Sequence, residues 1–252
     1  MATTNSNAAS LAQAVQFLKS CKWVDLTHEV TSSTPIFAAF NPPQRKTLFT
    51  VEKDGFLAYE ISLCTPTGTH VDAPAHFINN APLLNELNIK DLLLPMHVIH
   101  KEAQVINNHD YKLSVDDIIE YETQHGRIQE GSFVAFSSGW SQRWDTPKAF
   151  YNIDENGHAH TPGWSIEALE FLVKERKIAA IGHETLDTDA AEDAQEKGFL
   201  FAEHYVLQQH LWQAEVLNHL DQVPAAGAFI HVNFPNFEAL PSFPARIVAY
   251  LP

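Results

Sequence analysis

Positive charge is scarce in this sequence: 16 Lys and Arg stand against 31 Asp and Glu, a formal net charge of −15 at pH 7. Such a surplus repels phosphate backbones and anionic lipid surfaces over the range that salt permits. The densest basic stretch, Lys174 to Lys177, falls at the end of an expected helix, where cations complement the helix dipole. Nucleic acid and membrane are therefore excluded as partners, and a small molecule is expected. Cysteine is equally sparse. Cys21 and Cys64 cannot build a disulfide framework and read as small hydrophobes in a reducing compartment. No run of 18 apolar residues is present to span a bilayer, and the opening MATTNSNAASLAQAVQFLKSC lacks the basic start and apolar segment of a secretion signal. A cytoplasmic location is the expectation. A glycine-rich phosphate loop and a GxSxG elbow are missing too, which argues against nucleotide and serine-hydrolase chemistry.

What remains is a globular composition, 45% apolar and 19% charged over 252 residues, enough for one domain with a sizeable core. Leu11, Ala14, Val15 and Leu18 lie at helical spacing, so residues 1–20 read as a tail and helix, with the first eight disordered, ahead of a domain over 21–252. Strand-like runs begin at Val24 (VDLTHEV), Thr47 (TLFTVEK), Phe56, Met96, Ser132 and Ile178. Helices are expected from Ser114, with a capping Ser and a stopping Gly126, from Ser165, and from Phe201 to about Trp212. Three further strand-like runs, AEVLNHL, AFIHVNF and ARIVAYL, close the chain. The class is mixed α/β.

One short stretch carries the chemistry. THVDAPAH places His70, Asp72 and His76 within seven residues. His70 and Asp72, two apart in an extended segment, point to one side and can converge on one ion. Pro74 fixes its own φ, so the turn that returns His76 to the pair is expected at or after it. An imidazole there can carry a proton to and from a reacting group. Gln213 shares a strand face with Glu215 if WQAEVL is extended, and an amide oxygen can ligate a hard metal. DTDAAEDAQEKG, from Asp187, fails as a calcium loop and reads as a solvated acidic loop. His183 and Glu184 fail as HExxH, because Asp187 stands fifth and the context is strand-like. His28 reads as a hydrogen-bonded core histidine. Phe37 and Trp140 are the preferred substrate-lining aromatics among Phe37, Phe40, Phe77, Trp140 and Trp144.

With its flanks, TGTHVDAPAHF resembles the signature of the cyclase family of metal-dependent hydrolases, which includes bacterial kynurenine formamidases and isatin hydrolases. VDLTHEVTSSTPIF, SSGW, GHETLDTD and SFPARIVAY extend the resemblance over most of the chain. It implies a single-domain β-rich barrel or sandwich core, of the swivelling β/β/α type, with helices packed outside. It implies His70 and Asp72 as metal ligands and His76 as the proton shuttle. A later pair twelve positions apart matches Glu203 and Glu215; Glu215 ranks first as a ligand, Gln213 and Glu203 after it, and His204 is an alternative to Glu203. Pro66 stands where the formamidases carry a further His, so one divalent metal per chain, Mn²⁺ or Zn²⁺, is expected. The implied reaction is hydrolysis of the amide or lactam of a small cyclic or aryl amide. N-formylkynurenine hydrolysis and a catalytically inactive, metal-stabilised binding protein are the alternatives. The family implies a homodimer or homotetramer.

Overall fold

The computed structural model describes residues 2–252, and side chains from Ala9 onward. The expected disorder of the first eight residues falls outside the described side chains. The strands are β1 (Lys22–Asp25), β2 (Gln44–Phe49), β3 (Ala58–Ser62), β4 (His70–Asp72), β5 (Leu93–His100), β6 (Lys112–Leu113) and β7 (Phe133–Ser137), followed by β8 (Gly163–Trp164), β9 (Ala180–His183), β10 (Trp212–Glu215), β11 (Ala228–Asn233), β12 (Ser242–Pro244) and β13 (Arg246–Leu251). The helices are α1 (Ala2–Ser20), α2 (Val51–Asp54), α3 (Glu102–Val105), α4 (Val115–His125), α5 (Pro147–Tyr151), α6 (Ile166–Phe171), α7 (Ala191–Lys197) and α8 (Phe201–Gln208).

Nine strands form one curled sheet in the order β1-β13-β11-β5-β7-β9-β10-β4-β12. Strands β5, β7, β9 and β10 are parallel neighbours, whereas β4 and β12 join antiparallel beyond β10. The central strands are buried on both faces, which is why they read as continuous apolar runs rather than alternating ones. In β7, Phe133 and Ala135 enter one core, while Val134 and Phe136 enter a second that also holds Ile118, Leu169 and Val206 from α4, α6 and α8. This is the expected α/β architecture of a sheet curled into a half-barrel with helices outside.

Local departures have local causes. TLFTVEK is not one strand, because β2 stops at Phe49 and the chain turns through α2 to Gly55 at φ 81. VDLTHEV leaves the sheet after Asp25. The helix from Phe201 ends at Gln208, His210 adopts φ 60, and Trp212 already begins β10. The strand in this region is therefore WQAE rather than AEVLNHL, ended by Val216 at φ 55.

Candidate metal and catalytic site

Strand pairing assembles the site. In the antiparallel β4–β10 ladder Glu215 lies opposite His70, and Gln213 opposite Asp72. Opposed residues share a face and alternate positions return to it, so all four side chains emerge together. The intervening pair, Val71 and Ala214, goes to the core behind. His70, Asp72, Gln213 and Glu215 are each no more than 3% exposed.

His70 Nε2 lies 3.3 Å from Glu215 Oε2 and 3.5 Å from Asp72 Oδ2. On the far side of the ring, Nδ1 lies 2.8 Å from the Gly68 carbonyl. Gly68, at φ 65, makes the turn that brings that carbonyl back. The carbonyl can only accept, so a proton sits on Nδ1 and Nε2 is the ring atom turned toward the carboxylates. Among the described residues, neither His70 Nε2 nor Asp72 Oδ1 has a hydrogen-bond partner, although both atoms are buried. Burial opposes charge on His70, yet Asp72 and Glu215 outweigh it and hold its pKa well above the usual value. A proton there does the work that a cation would do. One donor atom from each of His70, Asp72 and Glu215 lies within 4.8 Å of the others, a nitrogen and oxygen set that fits a divalent transition metal.

Pro74 opens a short 3₁₀ turn over Pro74–His76, closed by the His76 N–H to the Ala73 carbonyl at 2.9 Å. That turn sets His76 Nε2 3.9 Å from Asp72 Oδ1, with 24% of the side chain exposed. Glu203 arrives on the first turn of α8, where Asp189 accepts the N–H groups of Ala202 at 2.9 Å and Glu203 at 3.0 Å. Burial, then the charges of Glu215, Asp72 and Asp187, push the Glu203 pKa well above the carboxylate range.

A cavity of ≈ 390 Å³ lies elsewhere, around His109 and Asp154, whereas the one over these residues measures ≈ 290 Å³. His70, His76, Asp187, Glu203 and Glu215 form the polar end of the smaller cavity. Its apolar walls are Phe37, Phe40, Pro66, Phe77, Leu186 and Leu200. A largely apolar-walled chamber with one polar end suits a small aromatic molecule whose polar group faces that end.

The family described as "Putative cyclase" matches residues 24–190. The chain belongs to the cyclase family. Among cyclase relatives, the isatin hydrolase of Roseibium aggregatum is 29% identical over 242 residues, 91% of each chain. The kynurenine formamidase of Geobacillus thermodenitrificans is 24% identical over 133 residues, 52% of this chain and 59% of its own. The structure of isatin hydrolase A from Ralstonia solanacearum superposes with a TM-score of 0.87 at 32% identity, covering 99% of this chain and 97% of that one. An isatin hydrolase bound to the product analogue thioisatinate gives a TM-score of 0.89 at 27% identity, with 98% of each chain covered.

Within this cyclase fold, the Trp140 and acidic-loop expectations change, and Gln213 takes a defined place between the carboxylates. Trp140 does not reach the cavity: it is 1% exposed in the second core, and its Nε1 donates to the Phe150 carbonyl at 2.9 Å. Gln213 presents its amide nitrogen to Asp72 Oδ2 at 3.2 Å and to Glu215 Oε1 at 2.8 Å, while its oxygen accepts the Thr188 hydroxyl at 2.9 Å. So placed, its amide nitrogen bridges the two carboxylates, while its oxygen keeps one lone pair beyond the Thr188 bond. The acidic stretch from Asp187 to Gly198 is not a solvated loop. Asp187 lines the cavity, its pKa raised to about 7 by burial and Glu215; Asp189 is buried under α8, and 191–197 are helical.

Further groups escaped sequence reasoning. His183, 1% exposed on β9, has Nε2 3.2 Å from the Thr188 hydroxyl and 3.4 Å from Glu215 Oε1. Glu184 is fully buried and accepts from the Ser138 N–H and hydroxyl, the Trp140 N–H and the Ser141 hydroxyl, which fixes the SSGW turn. The signal for both is a polar HET placed at the end of a buried apolar strand, which a comparison with HExxH alone does not capture. His204 lies against the Phe199 ring rather than with the ligand set.

Proposed function

We propose that this cyclase-family protein is a metal-dependent amidohydrolase that opens the amide or lactam of a small cyclic or aryl amide, with an isatin-like bicyclic lactam as the leading substrate. One observation carries the reading: His70, Asp72 and Glu215 converge under an aromatic-walled cavity with His76 at its polar end. The likeness to isatin hydrolases over nearly the whole chain supports it.

One divalent ion, Mn²⁺ or Zn²⁺, would be held by His70, Asp72 and Glu215, where it would polarise the carbonyl and acidify water. The chain's own residues do the rest. Gln213 holds the Asp72 and Glu215 carboxylates in place. Phe37, Phe40 and Phe77 bind the aromatic ring and exclude bulk water. His76 Nε2 takes the proton of the attacking water and delivers it to the departing amide nitrogen as the C–N bond breaks. Water thus adds across one bond, leaving a carboxylate and an amine. In a lactam both stay on one product.

N-formylkynurenine is the second candidate substrate, favoured by the formamidase relatives and disfavoured by Pro66 in the cavity wall. Elemental analysis of the purified protein, followed by turnover of isatin and N-formylkynurenine, tests the proposal. About one metal per chain with preferred isatin opening is the expected result. Metal bound without turnover of any cyclic or aryl amide would favour the inactive, metal-stabilised reading.

A second copy of the chain is the expected partner. Strands β2 and β3 form a two-stranded sheet of their own, and nearly every residue in them is exposed, including Leu48, Phe49, Tyr59 and Ile61. A bare hairpin is marginal in water, so an apolar arm of this kind calls for cover. Light scattering should report a dimer or tetramer. Among the described residues no helix is long and apolar enough to cross a membrane. Together with the two free cysteines, this supports a cytoplasmic protein.

A further inference from the structure

Phe37 forms part of the cavity wall, yet it is 57% exposed and its ring meets only the edge of Phe40, at 5.3 Å. Among the described residues, the stretch from Phe37 to Pro43 makes one backbone hydrogen bond, the Phe40 N–H to the Phe37 carbonyl at 2.9 Å, which closes the stretch on itself. Downstream it runs into β2, whose residues are all exposed. The position of the Phe37 ring therefore depends on the residue that leads into it. Ile36 is 7% exposed, and the Tyr151 hydroxyl accepts its N–H at 2.8 Å and donates to its carbonyl at 2.7 Å. One phenol thus satisfies both backbone groups of a buried residue, as a neighbouring strand would. The phenol itself is firmly mounted. Tyr151 closes α5, whose Phe150 is 1% exposed, packs edge-on to Trp144 and gives its carbonyl to Trp140 Nε1 at 2.9 Å. Trp140 is thus linked to the cavity wall through α5, although it does not touch it.

We propose that Tyr151 is a positioning residue that fixes the Phe37 ring through Ile36 and thereby sets the affinity for substrates with an aromatic ring. The inference rests on the amide-hydrolase reading of the cavity. Tyr151 is not a lining residue and acts through the chain rather than by contact with a ligand. With its hydroxyl in place, the wall is ordered when the protein folds, so an incoming ring meets a surface already shaped for it. Without the hydroxyl, the Ile36 N–H and carbonyl turn to water, and each ligand must order the wall as it binds. The ligand set and the proton carrier stand elsewhere, on β4, the turn after it and β10. Loss of the clamp therefore falls on aromatic binding and spares the chemical step.

The test is a double-mutant cycle on the metal-loaded protein, with Tyr151→Phe, Phe37→Ala and the two combined. It is read by steady-state kinetics on isatin and by calorimetric binding of the ring-opened product. Tyr151→Phe should raise the KM for isatin about tenfold, the scale of one net hydrogen bond lost, with kcat held within about threefold. Phe37→Ala should raise KM at least as much. In that background Tyr151→Phe should add less than about twofold, because both substitutions act on one ring. Product affinity should follow KM, and hydrogen exchange in Tyr151→Phe should quicken over residues 36–43 and not over β10. An unchanged KM in Tyr151→Phe, or fully additive losses in the pair, overturns the proposal. So does an unchanged KM in Phe37→Ala, which decides the matter even if Tyr151→Phe does not fold. Coupled losses in product binding without turnover of any amide would retain the clamp and sink the hydrolase reading; turnover with additive losses would do the reverse. An unaltered protein that neither binds nor opens an aryl amide counts against both.

Discussion

The Thr69 hydroxyl donates to the Val216 carbonyl at 2.6 Å and accepts the His28 N–H at 2.9 Å. It ties the residue before His70 to the residue after Glu215. Val216 needs such a restraint, because a β-branched residue at φ 55 is held in the left-handed region at a cost of about 1–2 kcal/mol. The strained residue ends β10 and so sets the direction in which Glu215 leaves the sheet. Thr69→Val keeps the shape and removes the donor, so first-equivalent metal affinity should fall roughly tenfold, the equivalent of losing one net hydrogen bond. Thr69→Ser should restore it. The check is Zn²⁺ binding to the metal-free proteins, and equal affinity in Val and Ser variants would remove Thr69 from the site's support.

In the proposed mechanism His76 has a role in turnover that His70 and Asp72 do not share. His76→Ala should lower kcat by ~10²- to 10⁴-fold, the usual contribution of one positioned proton carrier. The first equivalent of metal should still bind, since His70, Asp72 and Glu215 are untouched. Steady-state kinetics beside metal analysis separates the two effects; near-normal kcat would mean that another group moves the proton.

Metal removal should destabilise the fold. Asp72, Glu203, Glu215 and Asp187 crowd one buried region, and burial with mutual repulsion already pushes Glu203 and Asp187 upward in pKa. An ion bound only by the folded chain adds about 2.7 kcal/mol at a hundred times its Kd. Chelation should therefore lower Tm by several degrees, and re-addition of Mn²⁺ or Zn²⁺ should restore it. In His70→Ala the metal-dependent increment should vanish. A Tm indifferent to metal in the unaltered protein would contradict the ligand set.

How much of the site is legible in the sequence depends on how local each relationship is. HVDAPAH is self-contained: strand alternation puts His70 and Asp72 on one side, and Pro74 starts the turn to His76 where its ring requires it. The pairing of Gln213 with Asp72 spans 141 residues, and nothing within either segment encodes it. Glu215 is accessible only through its twelve-residue distance from Glu203 in the family resemblance. The acidic stretch misleads because composition cannot reveal that α8 lands on Asp189 and turns a surface-like carboxylate into a buried cap. Trp140 misleads in the opposite way. An aromatic beside a matched motif looks available until the neighbouring turn folds over it.

His28 supplies a pH dependence that is independent of any metal. Its ring stacks on Trp144 at 4.2 Å, and burial, with His219 nearby, lowers its pKa to about 4. In the unfolded chain the value returns to about 6.5. Above that pH the ring is neutral in both states and costs nothing. Below it the unfolded chain takes up a proton that the folded chain refuses, so stability is lost as pH falls from about 6.5 toward 4. The loss amounts to about 2 kcal/mol at pH 5. His28→Phe keeps a ring on Trp144 and removes the titration, at a replacement cost that is the same at every pH. Urea midpoints of the two metal-free proteins at pH 7 and pH 5 should therefore converge on acidification. If the two curves instead remain parallel, His28 is protonating in the folded state, and the neutral, stacked imidazole is the wrong description of this position.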